Sequence, residues 1–368
     1  MIKAKELPLF RHSRARSSAR SSNISGAQDA GGRVCGRSLR SLTRRRSPVF
    51  NMLPLGRLHF MRVALATIML AAMLDQILCS PGLTVAFQPI VDVSAGRAVA
   101  FEVLGRAPAE LPRTPGYSPP RPDELVELAW KHGRLVELEQ AWRSIAIDRI
   151  ASLPGSADAV YFFNLDTRVI EDPSHLPGFT LRALERAGLS PENIVLELSE
   201  RDPELGGERI ERAAAHYRSQ GFRIALDDWG AGFSTLAAIV RCRPEFLKVD
   251  RSLIDGISGD PLRRDILRAV IMFCGCQGIH LIAEGVERGS DLAALLDNGV
   301  SLAQGYLLGR PAPEPTPPAL HVTAVVEWLA SGVRRPVRVS PRNTAIKPLT
   351  RVGVLAHGQP MPSKALPN

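Results

Sequence analysis

Asp227 and Asp228 stand side by side in the stretch IALDDWGAGFSTL, residues 224–236, after an apolar run and just before the glycines. A carboxylate pair at the end of a buried strand repels itself and loses hydration. It persists only where protons, basic partners or metal ions compensate. Asn164, Glu197, Asp250, Glu284 and Gln304 occupy similar places, at or near the C-terminal ends of other apolar runs, and Glu102 lies in the early run FEVLGR. Carboxylates gathered in that number cannot all stay ionised without cations. The donors are oxygens, with no thiolate or histidine among them, so the expected cations are hard ones, Mg²⁺ or Mn²⁺. Adjacent aspartates can hold two ions close together, the arrangement that clamps both oxygens of a phosphoryl displacement. Lys248 is the one basic group in the set, suited to stabilising negative charge that grows near an attacking water or a phosphate.

These residues meet only if the elements carrying them converge. Short apolar or β-branched runs alternate with helical stretches, which indicates repeated βα units. The expected strands cover 84–93, 99–105, 159–165, 193–199, 222–228, 246–250, 279–285 and 301–307, and the longer helical stretches cover 122–150 and 207–220. A single (β/α) barrel is the natural closure of such a series, and its strand C-termini share one rim, where active sites of that fold are built.

The formal charge of +9 over 368 residues is concentrated at one end. Residues 1–50 hold ten Arg and two Lys against Glu6 and Asp29, so the remainder is close to neutral. That composition, rich in Arg, Ser and Gly, reads as a disordered tail over 1–60. It gives no specific nucleic-acid partner. The run Val63–Leu74 has 12 residues, whereas crossing a membrane takes about 20. Leu70, Leu74, Ile77 and Leu78 recur at helical spacing, so this segment is expected to pack as an amphipathic helix on the domain that follows, with no membrane partner and a cytoplasmic location. The five cysteines are odd in number and scattered, and isolated histidines such as His216 and His280 show no zinc spacing. After residue 312 the chain is rich in Pro. One short helix is expected at 322–332 within a tail over 313–368.

In order along the chain, FQPIVD (87–92), FEVLGR (101–106), FNLD (163–166), LELSER (196–201), LDDWGAGFSTL (226–236), LKVDRSLI (247–254), IAEGVE (282–287) and AQGYLLGRP (303–311) resemble the EAL family of cyclic di-GMP phosphodiesterases, over residues 61–312. The resemblance implies a TIM-like (β/α)8 barrel whose first strand runs antiparallel, and hydrolysis of cyclic di-GMP to linear pGpG with two Mg²⁺ or Mn²⁺ ions. It implies that Glu102, Asn164, Glu197 and Asp227 hold one ion, and Asp227, Asp228 and Glu284 the other. Lys248 would assist the water, and Glu284 would accept a proton. Gln88, Leu104, Arg106 and Gln304 would face the substrate, Glu200, Asp250 and Glu287 would brace the site, and a homodimer is implied. Val103 stands for the signature Ala, Trp229 and Phe233 for Phe and Tyr, Ala231 for a hydroxyl residue and Asp166 for Ser. These departures bear on efficiency and coupling rather than on ligand chemistry. The rival reading is a receptor that binds cyclic di-GMP without cutting it, and such receptors usually lack a metal ligand or the Lys, all of which this chain retains.

Overall fold

Strands with two buried faces need helices on one side and a closed interior on the other. The computed structural model describes residues 69–111, 116–156, 159–199, 206–231 and 236–316. They form a closed barrel of eight strands in chain order. The strands are β1 (Thr84–Asp92), β2 (Arg97–Arg106), β3 (Val160–Leu165), β4 (Ile194–Leu198), β5 (Arg223–Trp229), β6 (Phe246–Val249), β7 (His280–Ala283) and β8 (Leu302–Ala303). β1 pairs antiparallel with both β2 and β8, and every other neighbouring pair is parallel. The first strand therefore runs against the other seven, as the family resemblance implies.

Alternation along each strand divides the core. Phe101, Val103, Tyr161, Phe163, Leu196, Leu198, Ile224, Leu226, Leu247 and Val249 face outward into the layer shared with the helices. Ile90, Ala100, Phe162, Val195, Ala225, Phe246, Ile282 and Leu302 point inward and fill the barrel floor. Successive side chains of a strand point to opposite faces. The ring packing of Phe162 on Phe246, edge to face with centroids 5.0 Å apart, closes the middle of that floor.

The outer helices are α1 (residues 69–78), α2 (Pro122–Lys131), α3 (Leu135–Ala151), α4 (Phe179–Ala187), α5 (Gly206–Arg218), α6 (Leu236–Cys242), α7 (Arg251–Ile254), α8 (Pro261–Gln277) and α9 (Gly289–Asp297). Leu74 and Ile77 of α1 are fully buried with Leu83, Leu125, Ala129 and Leu138, so this helix packs on α2 and α3. Leu70, expected on the same face, is 41% exposed. The stretch 122–150 is two helices rather than one, because Gly133 adopts a left-handed φ of 65° and turns the chain between α2 and α3. Strand 301–307 shrinks to Leu302–Ala303: after Gln304 the chain turns, and Leu307 N donates to Val286 O at 3.1 Å. The N-terminal tail, residues 63–68, Glu200 and the helix expected at 322–332 lie outside the described residues. Among the described residues no helix is long and apolar enough to cross a membrane, and Cys79, Cys242, Cys274 and Cys276 are unbridged.

Gly305 marks where this turn meets the segment after β7. A Cβ built there would lie 2.2 Å from Val286 N and O, both of them backbone atoms that cannot swing aside. Gly305→Ala is expected to cost on the order of 3 kcal/mol through overpacking. Gly289→Ala, where an added Cβ meets open space, should change stability by less than about 1 kcal/mol. Urea denaturation of the two variants measures this, and equal midpoints would contradict the close approach.

Candidate functional site

Two residues beyond each floor residue, toward the rim, stands a polar one. Ile90 is followed in this sense by Gln88 on the reversed β1, Ala100 by Glu102, Phe162 by Asn164 and Val195 by Glu197. Ala225 leads to Asp227, Phe246 to Lys248, Ile282 to Glu284 and Leu302 to Gln304. The two-residue period that sends the floor inward sends these inward as well. Register keeps them level: Gln88 is paired with Glu102 across β1 and β2, and Asn164 with Glu197 across β3 and β4. Every strand, or the residue that directly extends it, gives one polar side chain to a ring above the apolar floor.

Lys248, with 2% of its side chain exposed, is the centre of that ring. Its Nζ lies 2.7 Å from Glu197 Oε1, 2.8 Å from Glu284 Oε1, 3.0 Å from Asp227 Oδ1 and 3.7 Å from Glu102 Oε1. Glu102 also accepts hydrogen bonds from Gln304 Nε2 at 2.6 Å and Asn164 Nδ2 at 3.1 Å. Burial opposes the charge on Glu102, but Lys248 and these amides together hold its carboxyl below the usual range. Burial first, and then the charge of Glu102, push Glu197 well above it. Burial likewise pushes Glu284 up to about 8, against the pull of Lys248. Burial also disfavours the ammonium of Lys248, yet the surrounding carboxylates, Asp227 foremost, raise it well above its ordinary value. One ammonium shared among four carboxylates leaves the ring acidic, which raises the affinity of Glu197 and Glu284 for protons.

Asp228 reaches the ring by a departure from strand geometry. Neighbours on a regular strand point to opposite faces, so Asp227 and Asp228 cannot both turn inward. The pairing of β5 with β6 slips between Leu226 and Trp229, and Asp228 takes a left-handed φ of 55°. This bulge re-aims the second carboxylate. Carboxylate oxygens of Asp227, Asp228 and Glu284 lie within 4.8 Å of one another. A left-handed backbone at a non-glycine costs on the order of 1 kcal/mol, and Asp is among the residues that tolerate it best. Glu197 Oε2 and Gln304 Oε1 are buried with no hydrogen-bond donor. An all-oxygen donor set, three carboxylates converging and acceptor oxygens left over fit a hard divalent cation.

The other expected site residues are placed as follows. Gln88 is buried at the rim and donates to Gly309 O at 3.1 Å. Leu104 lines a cavity of about 370 Å³ together with Glu102, Val126, Trp142, Phe163 and Asn164. Burial lowers the Arg106 guanidinium, opposed by the nearby charges of Glu102 and Tyr306. Asp250 does not join the ring: its Oδ1 accepts from Ser252 N at 2.8 Å and caps α7. Glu287 pairs with Arg251 at 2.8 Å outside the ring, and Glu200 lies outside the described residues. Asp166, one of the departures from the family pattern, binds the Arg168 side chain, while its N–H donates to Glu139 Oε1 at 2.7 Å. That bond ties the end of β3 to α3, where Arg143 Nη2 also holds Glu139 at 2.5 Å. Sequence reading missed Arg251 and Tyr306, which line a second rim cavity of about 220 Å³ with Gln88, Glu102, Glu284 and Gln304. The LKVDRSLI motif contained Arg251, but its type alone does not separate it from a helix-surface cation.

The family model described as EAL domain matches residues 71–311. The chain is 30% identical over 234 residues to the "Probable cyclic di-GMP phosphodiesterase PdeN" of Escherichia coli (strain K12), covering 62% of this chain and 43% of that protein. It spans less than half the length of this relative. It is similar in structure to Klebsiella pneumoniae BlrP1 in calcium and manganese complexes with cy-diGMP, at 27% identity and a TM-score of 0.56. The alignment with the calcium complex covers 64% of this chain and 57% of that one. It is also similar to the PaMucR phosphodiesterase in complex with c-di-GMP, at 27% identity and a TM-score of 0.56, covering 67% of this chain and 98% of that one.

Because Lys248 compensates the ring, Lys248→Met leaves the buried carboxylates without a cation, and breaking a buried ion pair costs about 3–5 kcal/mol. In EDTA this variant should melt well below wild type. Mn²⁺ should restore more of its melting temperature than it adds to wild type. Identical melting in EDTA would contradict the central role of Lys248.

Proposed function

The chain belongs to the EAL domain family, and on that premise we propose that it hydrolyses one phosphodiester of cyclic di-GMP to give linear pGpG, using two divalent cations, Mg²⁺ or Mn²⁺. The observation that carries this reading is the convergence of Asp227, Asp228 and Glu284 beside Lys248 on one rim. Glu102, Asn164, Glu197 and Asp227 would hold one ion, and Asp227, Asp228 and Glu284 the other. When bound, such ions supply Lewis acidity at a phosphoryl oxygen and make a water nucleophilic at neutral pH. Lys248 then offers a fixed positive charge next to the reacting phosphate, already oriented by its carboxylates. Glu284, beside Asp227 and Asp228 on the rim, would accept the proton of the attacking water. Gln88, Leu104, Arg106 and Gln304 would face the dinucleotide. The larger cavity, walled by Trp142 and Phe163, suits a flat base.

We place this activity in residues 61–312, with 1–60 and 313–368 as flanking tails. A homodimer would draw on the exposed apolar side chains Leu236 and Val240 of α6 and Leu262, Ile266, Met272 and Phe273 of α8.

Incubation of the full chain with cyclic di-GMP and Mg²⁺ or Mn²⁺, followed by separation of products, should give pGpG and no turnover in EDTA. Asp227→Asn withdraws charge from both ion positions, and kcat should fall by more than about 100-fold, beyond the loss typical of outer-shell partners. Saturable binding of cyclic di-GMP by wild type without turnover would place the chain among receptors instead.

A further inference from the structure

We propose that Arg251 is a substrate-binding residue, contacting a phosphate of the dinucleotide in the 220 Å³ rim cavity. The inference rests on the phosphodiesterase reading and deepens it. The cavity is lined by Gln88, Glu102, Glu284, Glu287, Gln304 and Tyr306, with Arg251 as the sole cation among its lining residues. Ligand pockets for whole drug-sized molecules run to roughly 300–1,000 Å³. This smaller, polar cavity therefore takes one part of the ligand, while the larger apolar cavity takes another. Glu102 and Glu284 face Lys248 and would be compensated further by the ions they hold, whereas Glu287 lies outside that set and repels an anion unless a cation on the same wall offsets it. A guanidinium matches phosphate oxygens in geometry as well as charge.

Arg251 is held ready for that contact. Its stem packs on the segment after β7, where a Cβ on Gly285 would lie 2.5 Å from Arg251 Cγ, and Gly285 has a left-handed φ of 64°. Glu287 fixes the guanidinium through Nη1 at 2.8 Å and Nη2 at 3.1 Å. About half of the Arg251 side chain remains exposed, so Glu287 orients the fork without enclosing it. Gly285 at this position admits the close approach that brings the guanidinium from α7 to the cavity wall.

The alternative role for Arg251 is a brace that acts only through Glu287, and steady-state kinetics of the full chain in Mn²⁺ separate the two. A charge-assisted hydrogen bond to a phosphate is worth about tenfold or more in affinity. Arg251→Gln should raise KM by about that factor and change kcat by less than about threefold, and Arg251→Lys should recover part of the loss. Glu287→Gln, which breaks the same ion pair but keeps the cation, should raise KM less than Arg251→Gln does. A brace predicts the reverse: equal effects of the two substitutions, equal shifts in melting temperature, and a double variant no worse than either. If wild type turns over cyclic di-GMP while Arg251→Gln keeps its KM, or matches Glu287→Gln, the inference falls and the phosphodiesterase reading stands. If wild type neither binds nor cleaves cyclic di-GMP, both fall.

Discussion

Lys248 holds together a ring that would otherwise push itself apart. Its ammonium touches Glu197, Asp227 and Glu284 within 3.0 Å, in an interior where charges are costly to bury. The rest of the barrel can be read as the means of delivering these groups to one point. The floor of Phe162, Phe246, Ile282 and their neighbours excludes water from below, which strengthens every interaction above it. A single ammonium cannot neutralise four carboxylates. The imbalance appears as raised affinity for protons at Glu197 and Glu284, and a divalent cation can exploit the same imbalance.

Position follows from period. Because floor and ring are two residues apart on every strand, the pattern that makes a strand also makes the site. Two departures from regularity lie at the ring itself. The bulge at Asp228 brings two consecutive carboxylates to one side, and the turn after Gln304 binds β8 to the segment carrying Glu284 and Glu287. Both sacrifice ladder pairing for side-chain placement, which is how strain comes to concentrate at functional sites.

The strands and their order were legible in the sequence, because runs such as AVYFFNL and NIVLELS are largely apolar on both faces and carry a polar residue near the C-terminal end. Glu102, Asn164, Glu197, Asp227, Lys248, Glu284 and Gln304 could be singled out for the same reason. The depth of the Lys248 contacts could not, since spacing places a side chain on a face but does not say what it touches. Asp250 looked like a rim acid and is the cap of α7, because the strand ends one residue before it and the chain turns outward. The break at Gly133 was also hidden, as a glycine inside a helical pattern signals a turn only when its φ is known. The convergence of Asp228 required a bulge, for which two adjacent acids give no sequence signal.

The acidic ring above the barrel floor has the donors of a two-cation site. Titration of the metal-free full chain with Mn²⁺, with bound ion counted by electron paramagnetic resonance, tests it most directly. A two-cation site saturates at two ions per chain with magnetic coupling between them, and Asp227→Asn loses that coupled pair. Absence of saturable binding, or an unchanged coupled pair in Asp227→Asn, would contradict it.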